Sequence, residues 1–254
     1  MVLRTLAEML VWLLPPLRVK NRLLGLFGHT IHPTASIMPI IAIGVRRVKV
    51  GAGCKIGLLN TFRGLRLIEL DDESLIESWT WISAHPIFQT LDDQSGTLYL
   101  GYGSKIGSRC YIDCSGTVVV RSYAALGGHR CVLQTHEPDL DAAEQTVGRI
   151  TIGSRSLVSS LTVMLQGAFV PPNSVVGAHS TVLAGYDETS PSGLYVGSPA
   201  KYKRELTGAW FDRDFVTMRD HRIDAQQGVL TADRVRDIRN PGAAVTPSEM
   251  AATP

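Results

Sequence analysis

The feature that most restricts the fold of this 254-residue chain is an aliphatic residue that recurs every six positions, often with a small residue after it. A period of six fits neither an α-helix nor an alternating strand. Shorter runs begin at Val50, Leu70 and Leu100, and another at Val120 continues through Leu126 and Val132. The longest unbroken run consists of Ile152, Val158, Met164, Val170, Val176 and Val182.

This period predicts a solenoid with short flat faces, in which one aliphatic residue per face points inward. Each inward residue stacks on its equivalents in the coils above and below, so that neighbouring repeats supply a core that no single repeat could form. Three segments lack the period: residues 84 to 97, residues 136 to 149, and the chain after Gly185. Function in a repeat protein is usually built into such segments.

The composition narrows the class of protein further. Basic and acidic residues number 25 and 23, for a net charge of +2, and the body of the chain has no basic cluster, so a nucleic-acid partner is not indicated. The four cysteines lack the paired spacing of a zinc site and are too few for a disulfide framework. We expect them to be free, mostly buried thiols.

The first 29 residues form a separate amphipathic segment. The apolar stretch from Leu6 to Leu14 is too short to span a bilayer, and because Pro15, Pro16 and basic residues follow it, we expect it to remain in the mature protein rather than to act as a secretory signal. Two interpretations stay open. The segment is either an interfacial helix at an anionic membrane, or a helix that caps the core or packs on a neighbouring subunit.

The end of the chain differs from the repeat region. After Leu206 the hexapeptides stop, and Thr231 is placed to cap a short helix that Asn240, Pro241 and Gly242 would end. We expect the last residues to be disordered. The predicted organisation is thus an N-terminal segment at 1–29, a repeat domain at 30–205 and an extension at 206–254.

Two local motifs, together with the repeats, resemble those of the left-handed β-helix acyltransferases. The first is Leu133-Gln134-Thr135-His136 followed by a polar excursion, and the second is Val196-Gly197-Ser198-Pro199-Ala200-Lys201. Over about residues 30 to 205 the chain is similar to sugar O-acetyltransferases of the galactoside, maltose, colanic acid and Nod-factor types. The resemblance implies an all-β, left-handed parallel β-helix with short helical appendages at both ends. The left hand comes from the resemblance alone, since parallel crossovers are generally right-handed.

The resemblance also implies a homotrimer, active sites between neighbouring subunits, and acetyl-CoA as co-substrate. His136 matches the general base that takes the proton of the acceptor hydroxyl, a task that suits an imidazole. Asp113 would orient this imidazole or hold the acceptor, or it is an ordinary corner aspartate. His85, at the start of the first excursion, would contact the acceptor or is a loop histidine without a role.

For CoA, the matching positions are Ser160 and Ala178, which lie 18 residues apart and therefore one coil apart. Lys201 and Arg204 match basic residues that meet the CoA phosphates, although Arg204 can equally be an ordinary solvated charge. No metal is expected, because the spacing of His129 and His136 does not fit the His-x4-His pair of the carbonic anhydrases that share this fold.

These inferences predict a cytoplasmic enzyme, soluble or peripheral on the inner face of the cell membrane. It would transfer an acyl group, most simply acetyl, from CoA to a sugar or glycan hydroxyl. Two alternatives stay open. One is an N-acyltransferase acting on an amino sugar, an antibiotic or an amino acid, and the other is a non-catalytic hexapeptide scaffold.

Overall fold

The structure, a computed structural model, describes residues 2–216. The helix expected at Thr231 and the expected disordered end lie outside these residues. Within residues 2–216, no helix is long and apolar enough to cross a membrane.

The repeats wind into three sheets, of seven, nine and seven strands, that form the three sides of the coil. Strands of one sheet recur one coil apart and pair in parallel, which confirms the predicted parallel β-helix. The strands of the first three coils are β1 (Thr30–Ile31), β2 (Ser36–Ile37), β3 (Ile41–Ile43), β4 (Arg47–Val50), β5 (Lys55–Ile56), β6 (Thr61–Arg63), β7 (Leu67–Leu70), β8 (Leu75–Ile76) and β9 (Trp81–Ser83).

The later coils continue the same order of sheets. Their strands, with the hairpin formed by β16 and β17, are β10 (Thr97–Leu100), β11 (Lys105–Ile106), β12 (Tyr111–Asp113), β13 (Thr117–Val120), β14 (Ala125–Leu126), β15 (Val132–Leu133), β16 (His136–Asp139), β17 (Glu144–Val147), β18 (Arg149–Ile152), β19 (Leu157–Val158), β20 (Val163–Met164), β21 (Phe169–Val170), β22 (Val175–Val176) and β23 (Thr181–Val182). An antiparallel pair, β24 (Leu194–Gly197) and β25 (Ala200–Arg204), extends the second sheet, and a short helix, Ala209–Asp212, follows.

The inward aliphatic residues form continuous stacks, as the period predicts. On the first sheet Val48, Ile68, Leu98, Val118 and Ile150 follow one another in register, and all five are fully buried. The six-residue period is interrupted between the early runs because the early coils are longer. Lys55 pairs with Leu75, twenty positions on, whereas Leu157 pairs with Val175, eighteen positions on.

One predicted inward position is wrong. The core residue of β15 is Leu133, which is fully buried, and Val132 is only half-buried. The cause is one extra residue in the corner after Leu126, because Leu133 pairs with Ile112 although the six-residue period would place Val132 there. This extra residue shifts the following Thr135 and His136 by one position relative to the simple repeat.

Two helices close the N-terminal end of the β-helix. They are α1 (Val2–Trp12) and α2 (Arg18–Leu26), and they bury Trp12 and Leu24 against the first coil. Lys20 of α2 is also fully buried, and its ammonium donates hydrogen bonds of 2.8 to 3.0 Å to the carbonyls of Trp12, Leu14, Ile37 and Met38. Burial lowers the pKa of Lys20 to about 8. The helices are thus held to the first coil by apolar packing and by a buried cation.

Both inner segments that break the period leave the β-helix at the same corner, between the third and first sheets. The first contains a 3-10 helix, Pro86–Thr90, and the second is the β16–β17 hairpin. Gln89 of the first segment donates to the carbonyl of Gly64, in an earlier coil, at 2.7 Å. Thr146 of the hairpin hydrogen-bonds Gln166, in a later coil, at 3.2 Å. The two segments therefore lean in opposite directions along the helix axis.

Replacing Ile68 by Ala should lower the free energy of unfolding by about 2 to 5 kcal/mol, because it opens a cavity in the middle of the first stack. Urea denaturation measures the change. The control is Glu69→Ala on the same strand, which removes only a solvent-exposed ion pair with Lys49 and should cost less than about 1 kcal/mol. Equal losses in both variants would contradict the stacked core.

Candidate active site

A cleft of about 1020 Å³ opens between the two segments that leave this corner. The corner of the coil between them is tight, since a Cβ on Gly116 would lie 2.0 Å from the carbonyl oxygen of Gly148. Because no long segment protrudes from this tight corner, the space between the two segments stays open. The lining residues used below are His85, Phe88, Tyr111, Asp113, Ser115, Gln134, His136, Glu144 and Gln145.

His136 and Asp113 contact each other at this cleft although they are 23 positions apart in sequence. The register that pairs Ile112 with Leu133 carries Asp113 and the residues after Leu133 to the same corner on adjacent coils. Nδ1 of His136 lies 2.8 Å from Oδ2 of Asp113. The side chain of His136 is 38% exposed, whereas that of Asp113 is only 11% exposed. A partly exposed imidazole thus contacts a buried carboxylate.

Donors surround the carboxylate of Asp113. Oδ1 accepts from the backbone N–H and the hydroxyl of Ser115, at 3.1 and 2.5 Å, and Oδ2 accepts from the backbone N–H and the hydroxyl of Thr135, at 3.0 and 2.7 Å. Burial by itself would raise the pKa of Asp113, but the hydrogen bonds from Ser115, His136 and Thr135 outweigh it and hold the pKa below its usual value of 3.8. Asp113 is therefore ionised at neutral pH.

An ionised carboxylate only accepts hydrogen bonds, so Nδ1 of His136 must carry the proton in the contact with Asp113. In the neutral imidazole Nε2 is then unprotonated and has a free lone pair. This is the arrangement in which a buried carboxylate fixes the tautomer and orientation of a histidine base.

His85 lies on the other wall of the cleft in the opposite tautomer. Its Nδ1 accepts the backbone N–H of Ile87 at 3.3 Å, as the N-cap of the 3-10 helix, so Nε2 carries the proton of the neutral ring. The ring of Phe88 lies between the two histidines, with centroids 6.0 Å from His85 and 6.2 Å from His136. One wall of the cleft thus offers an acceptor nitrogen and the other a donor.

The four residues matched to CoA lie elsewhere in the chain. Ser160 and Ala178 follow β19 and β22 at the corner between the second and third sheets, one coil apart. Lys201 and Arg204 are exposed on β25, and Ser198, in the turn before β25, hydrogen-bonds Thr181 near the same corner. Within one chain the third sheet separates this corner from the corner that bears His136. The structure thus brings His136, Asp113 and His85 together, places Ser160 and Ala178 at a different corner, and places Lys201 and Arg204 on β25 of the second sheet.

Several residues that build the site were not predicted as site residues from the sequence. Ser115 and Thr135 hold Asp113, and Tyr111 lines the cleft beside it and stacks on Trp81 with ring centroids 6.4 Å apart. Their only sequence signal is proximity, since Tyr111 and Ser115 flank Asp113 and Thr135 precedes His136.

Within residues 2–216, no group of three or more His, Cys, Asp or Glu side chains is placed to hold a metal ion. The four cysteines are all buried free thiols. Burial raises the pKa of the Cys54 and Cys114 thiols, which keeps them protonated and unreactive.

No family model matches the chain, and no curated protein sequence matches it. Among solved structures it is similar to the polysialic acid O-acetyltransferase OatWY, at 16% identity over 77% of this chain and 89% of that chain, with a TM-score of 0.42. It is also similar to a mutant of AntD, an N-acyltransferase from Bacillus cereus in complex with dTDP and coenzyme A, at 13% identity over 65% and 84%, with a TM-score of 0.38. The polySia specific acetyltransferase NeuO is similar at 14% identity over 68% and 76%, with a TM-score of 0.38. These identities and TM-scores are low, so the likenesses assign no activity, substrate or assembly to this chain.

The lowered pKa of Asp113 makes stability depend on pH in a defined direction. A carboxylate whose pKa is lower in the folded state stabilises fully above its unfolded value of 3.8, and this contribution is lost as the pH falls through 3.8 and then through the folded pKa. Between about pH 5 and 3, the free energy of unfolding should therefore fall less steeply in Asp113→Asn than in the unmodified protein.

Urea denaturation at a series of pH values measures these slopes. The matched control is Asp141→Asn, which changes an exposed aspartate in the hairpin loop. Identical slopes for Asp113→Asn and the unmodified protein would show that the donors around Asp113 do not stabilise its ionised form.

Proposed function

We propose that this protein is an acyl-CoA-dependent O-acyltransferase that transfers an acetyl group to a hydroxyl of a sugar or glycan. The observation that carries the proposal is the 2.8 Å contact between His136 and the buried Asp113 at the wall of an open cleft. An imidazole that is held in one orientation at a cleft, with Nε2 unprotonated, can act as a general base. The motifs around His136 and Lys201 indicate acyl-CoA as the donor, because they resemble those of CoA-dependent enzymes.

In the proposed reaction Nε2 of His136 removes the proton from the acceptor hydroxyl while its oxygen attacks the carbonyl carbon of the thioester. The C–S bond then breaks, the proton passes from His136 to the leaving sulfur, and the products are an ester and free CoA. Asp113 stabilises the imidazolium that forms during the transfer. Direct transfer is favoured over an acyl-cysteine intermediate, because all four cysteines are buried and none of them lines the cleft.

The walls of the cleft support a sugar as the acceptor. Tyr111 offers a flat, exposed apolar surface, and Gln134, Gln145 and Glu144 offer hydrogen-bonding groups. Sites that hold small polar ligands commonly combine an apolar lining with a few fixed polar groups. In this arrangement the Nε2–H of His85 donates to an acceptor oxygen while His136 takes the proton from the reacting hydroxyl.

The position of the CoA-matched residues supports a site shared between subunits. Ser160 and Ala178 lie across the third sheet from His136, so a donor that lies along their corner would meet the base of a neighbouring chain. We therefore propose a homotrimer, with CoA in the groove between two subunits. Ser160 and Ala178 would border the pantetheine arm, and Lys201 and Arg204 would meet the phosphates.

Replacing His136 by Ala should lower the rate of acetyl transfer by about a hundredfold or more, because the proton acceptor is lost, and should leave CoA binding unchanged. Asp113→Asn should also lower kcat, because the tautomer of His136 is no longer fixed. Release of free thiol from acetyl-CoA and longer acyl-CoAs, over a panel of sugars and glycolipids, measures the rate. His32→Ala, which changes an exposed histidine of the first coil, is the matched control.

Unchanged turnover in His136→Ala would remove His136 from the mechanism. The panel and mass spectrometry of the product also decide between the alternatives, since an amide product would assign N-acylation. A non-catalytic scaffold would release no thiol and would gain no thermal stability from CoA, whereas a donor-binding enzyme should melt a few degrees higher with saturating CoA.

Replacing Lys201 by Gln should weaken CoA binding about tenfold, because one charge-assisted contact to phosphate is lost. Isothermal titration calorimetry with CoA measures the affinity. Lys55→Gln, which removes an exposed lysine from the same sheet in the second coil, should bind CoA as the unmodified protein does. Equal affinities for Lys201→Gln and Lys55→Gln would move the phosphate site away from β25.

A further inference from the structure

The outer sides of α1 and α2 carry more exposed apolar surface than the fold requires. On α1, Leu6, Leu10 and Leu13 recur at helical spacing, and Leu10 is 66% exposed. On α2, Leu26 is 78% exposed, and Leu17 and Val19 are exposed at its start. We call these residues and the exposed arginines nearby the outer helical surface.

Within residues 2–216, the outer helical surface faces away from the core of the β-helix. The opposite sides of the helices already pack on the β-helix through Trp12 and Leu24, and the buried ammonium of Lys20 bonds carbonyls of α1, of the connection to α2 and of the first coil. The helices are thus held in place with their leucines outward.

The charges near the outer helical surface have one sign. Arg4, Arg18 and Arg22 are exposed, and Arg18, Arg22 and Leu26 follow one another every fourth residue along one stripe of α2. Glu8, the only acidic residue before His29, faces inward instead, where it contacts His29 at 2.9 Å and Trp12. Among the described residues before His29, the outer helical surface therefore combines apolar side chains with positive charge, and the single carboxylate, that of Glu8, is paired with His29.

We infer that the outer helical surface docks on an anionic lipid bilayer, with the leucines in the interface and the arginines at the headgroups. Amphipathic helices bind membranes through this combination of apolar area and positive charge. A second copy of the same surface is a poorer occupant, because it would bring like charges together. The inference does not rest on the proposed chemistry, since it concerns the end of the β-helix rather than the cleft.

Sedimentation of the full chain with vesicles tests the inference. The protein should pellet with vesicles of phosphatidylcholine and phosphatidylglycerol, should stay in solution with phosphatidylcholine alone, and should be released by high salt. The double variant Leu6→Gln, Leu10→Gln should partition at least about tenfold more weakly, because apolar surface is lost from the interface. Leu140→Gln, at an exposed leucine of the hairpin loop, should partition as the unmodified protein does.

A second pair of variants tests the charge separately. Arg18→Gln with Arg22→Gln should weaken partitioning onto anionic vesicles about thirtyfold, at about 1 kcal/mol per arginine. Arg109→Gln with Arg130→Gln removes two exposed arginines elsewhere and should change little. All four changed positions are exposed, so thermal unfolding should stay within a few degrees of the unmodified protein.

Two outcomes would overturn the inference. One is a protein that stays in solution with every vesicle composition, or whose partitioning is unaffected by the leucine and arginine changes. The other is that the unmodified protein binds no vesicles and the leucine double variant forms a smaller assembly than the unmodified protein by light scattering. That result would assign the outer helical surface to contact with a second copy of the chain. Loss of vesicle binding with thiol release intact would separate this surface from the catalytic proposal.

Discussion

Each coil of this protein is stabilised by the coils before and after it, because its inward aliphatic residues stack on their equivalents in those coils. The stacks through Ile68 and through Ile112 bury these residues completely between their equivalents, and parallel strand pairing keeps them aligned. The interaction that builds the core thus also sets the register. A position at a corner of one coil is therefore fixed relative to the same corner of the next, and the cleft depends on this alignment.

The His136–Asp113 pair shows what the alignment provides. Neither residue belongs to a motif that contains the other, yet neighbouring coils place them in contact. Thr135 donates to Asp113 from the later coil, and Ser115 donates to it from its own coil. The carboxylate is thus bound from both coils, so relative movement of the coils would break hydrogen bonds to a buried charge. Rigid repeats hold the two groups without a separate supporting domain.

The sequence predicts the architecture well and the site only in part. A six-residue period identifies the solenoid, and a histidine at a break in the period points to His136. The periodicity cannot distinguish Val132 from Leu133 as the core residue, because both are aliphatic and one inserted residue leaves no other mark. Nor can it find Ser115 or Thr135, whose importance lies in contacts across coils. The buried Lys20 is equally hidden, since burial of a lysine depends on carbonyls from three separate parts of the chain.

The common corner from which both segments leave has a consequence for how such a protein diversifies. Leu67 pairs in register with Thr97, and Thr117 with Arg149, although a long segment lies within each interval. The strands on either side therefore do not depend on the length or sequence of what lies between them. Residues 84–96 and 137–148 are, in evolutionary and engineering terms, exchangeable cassettes. New walls for the cleft can be introduced there while the coils keep the base and its carboxylate in place.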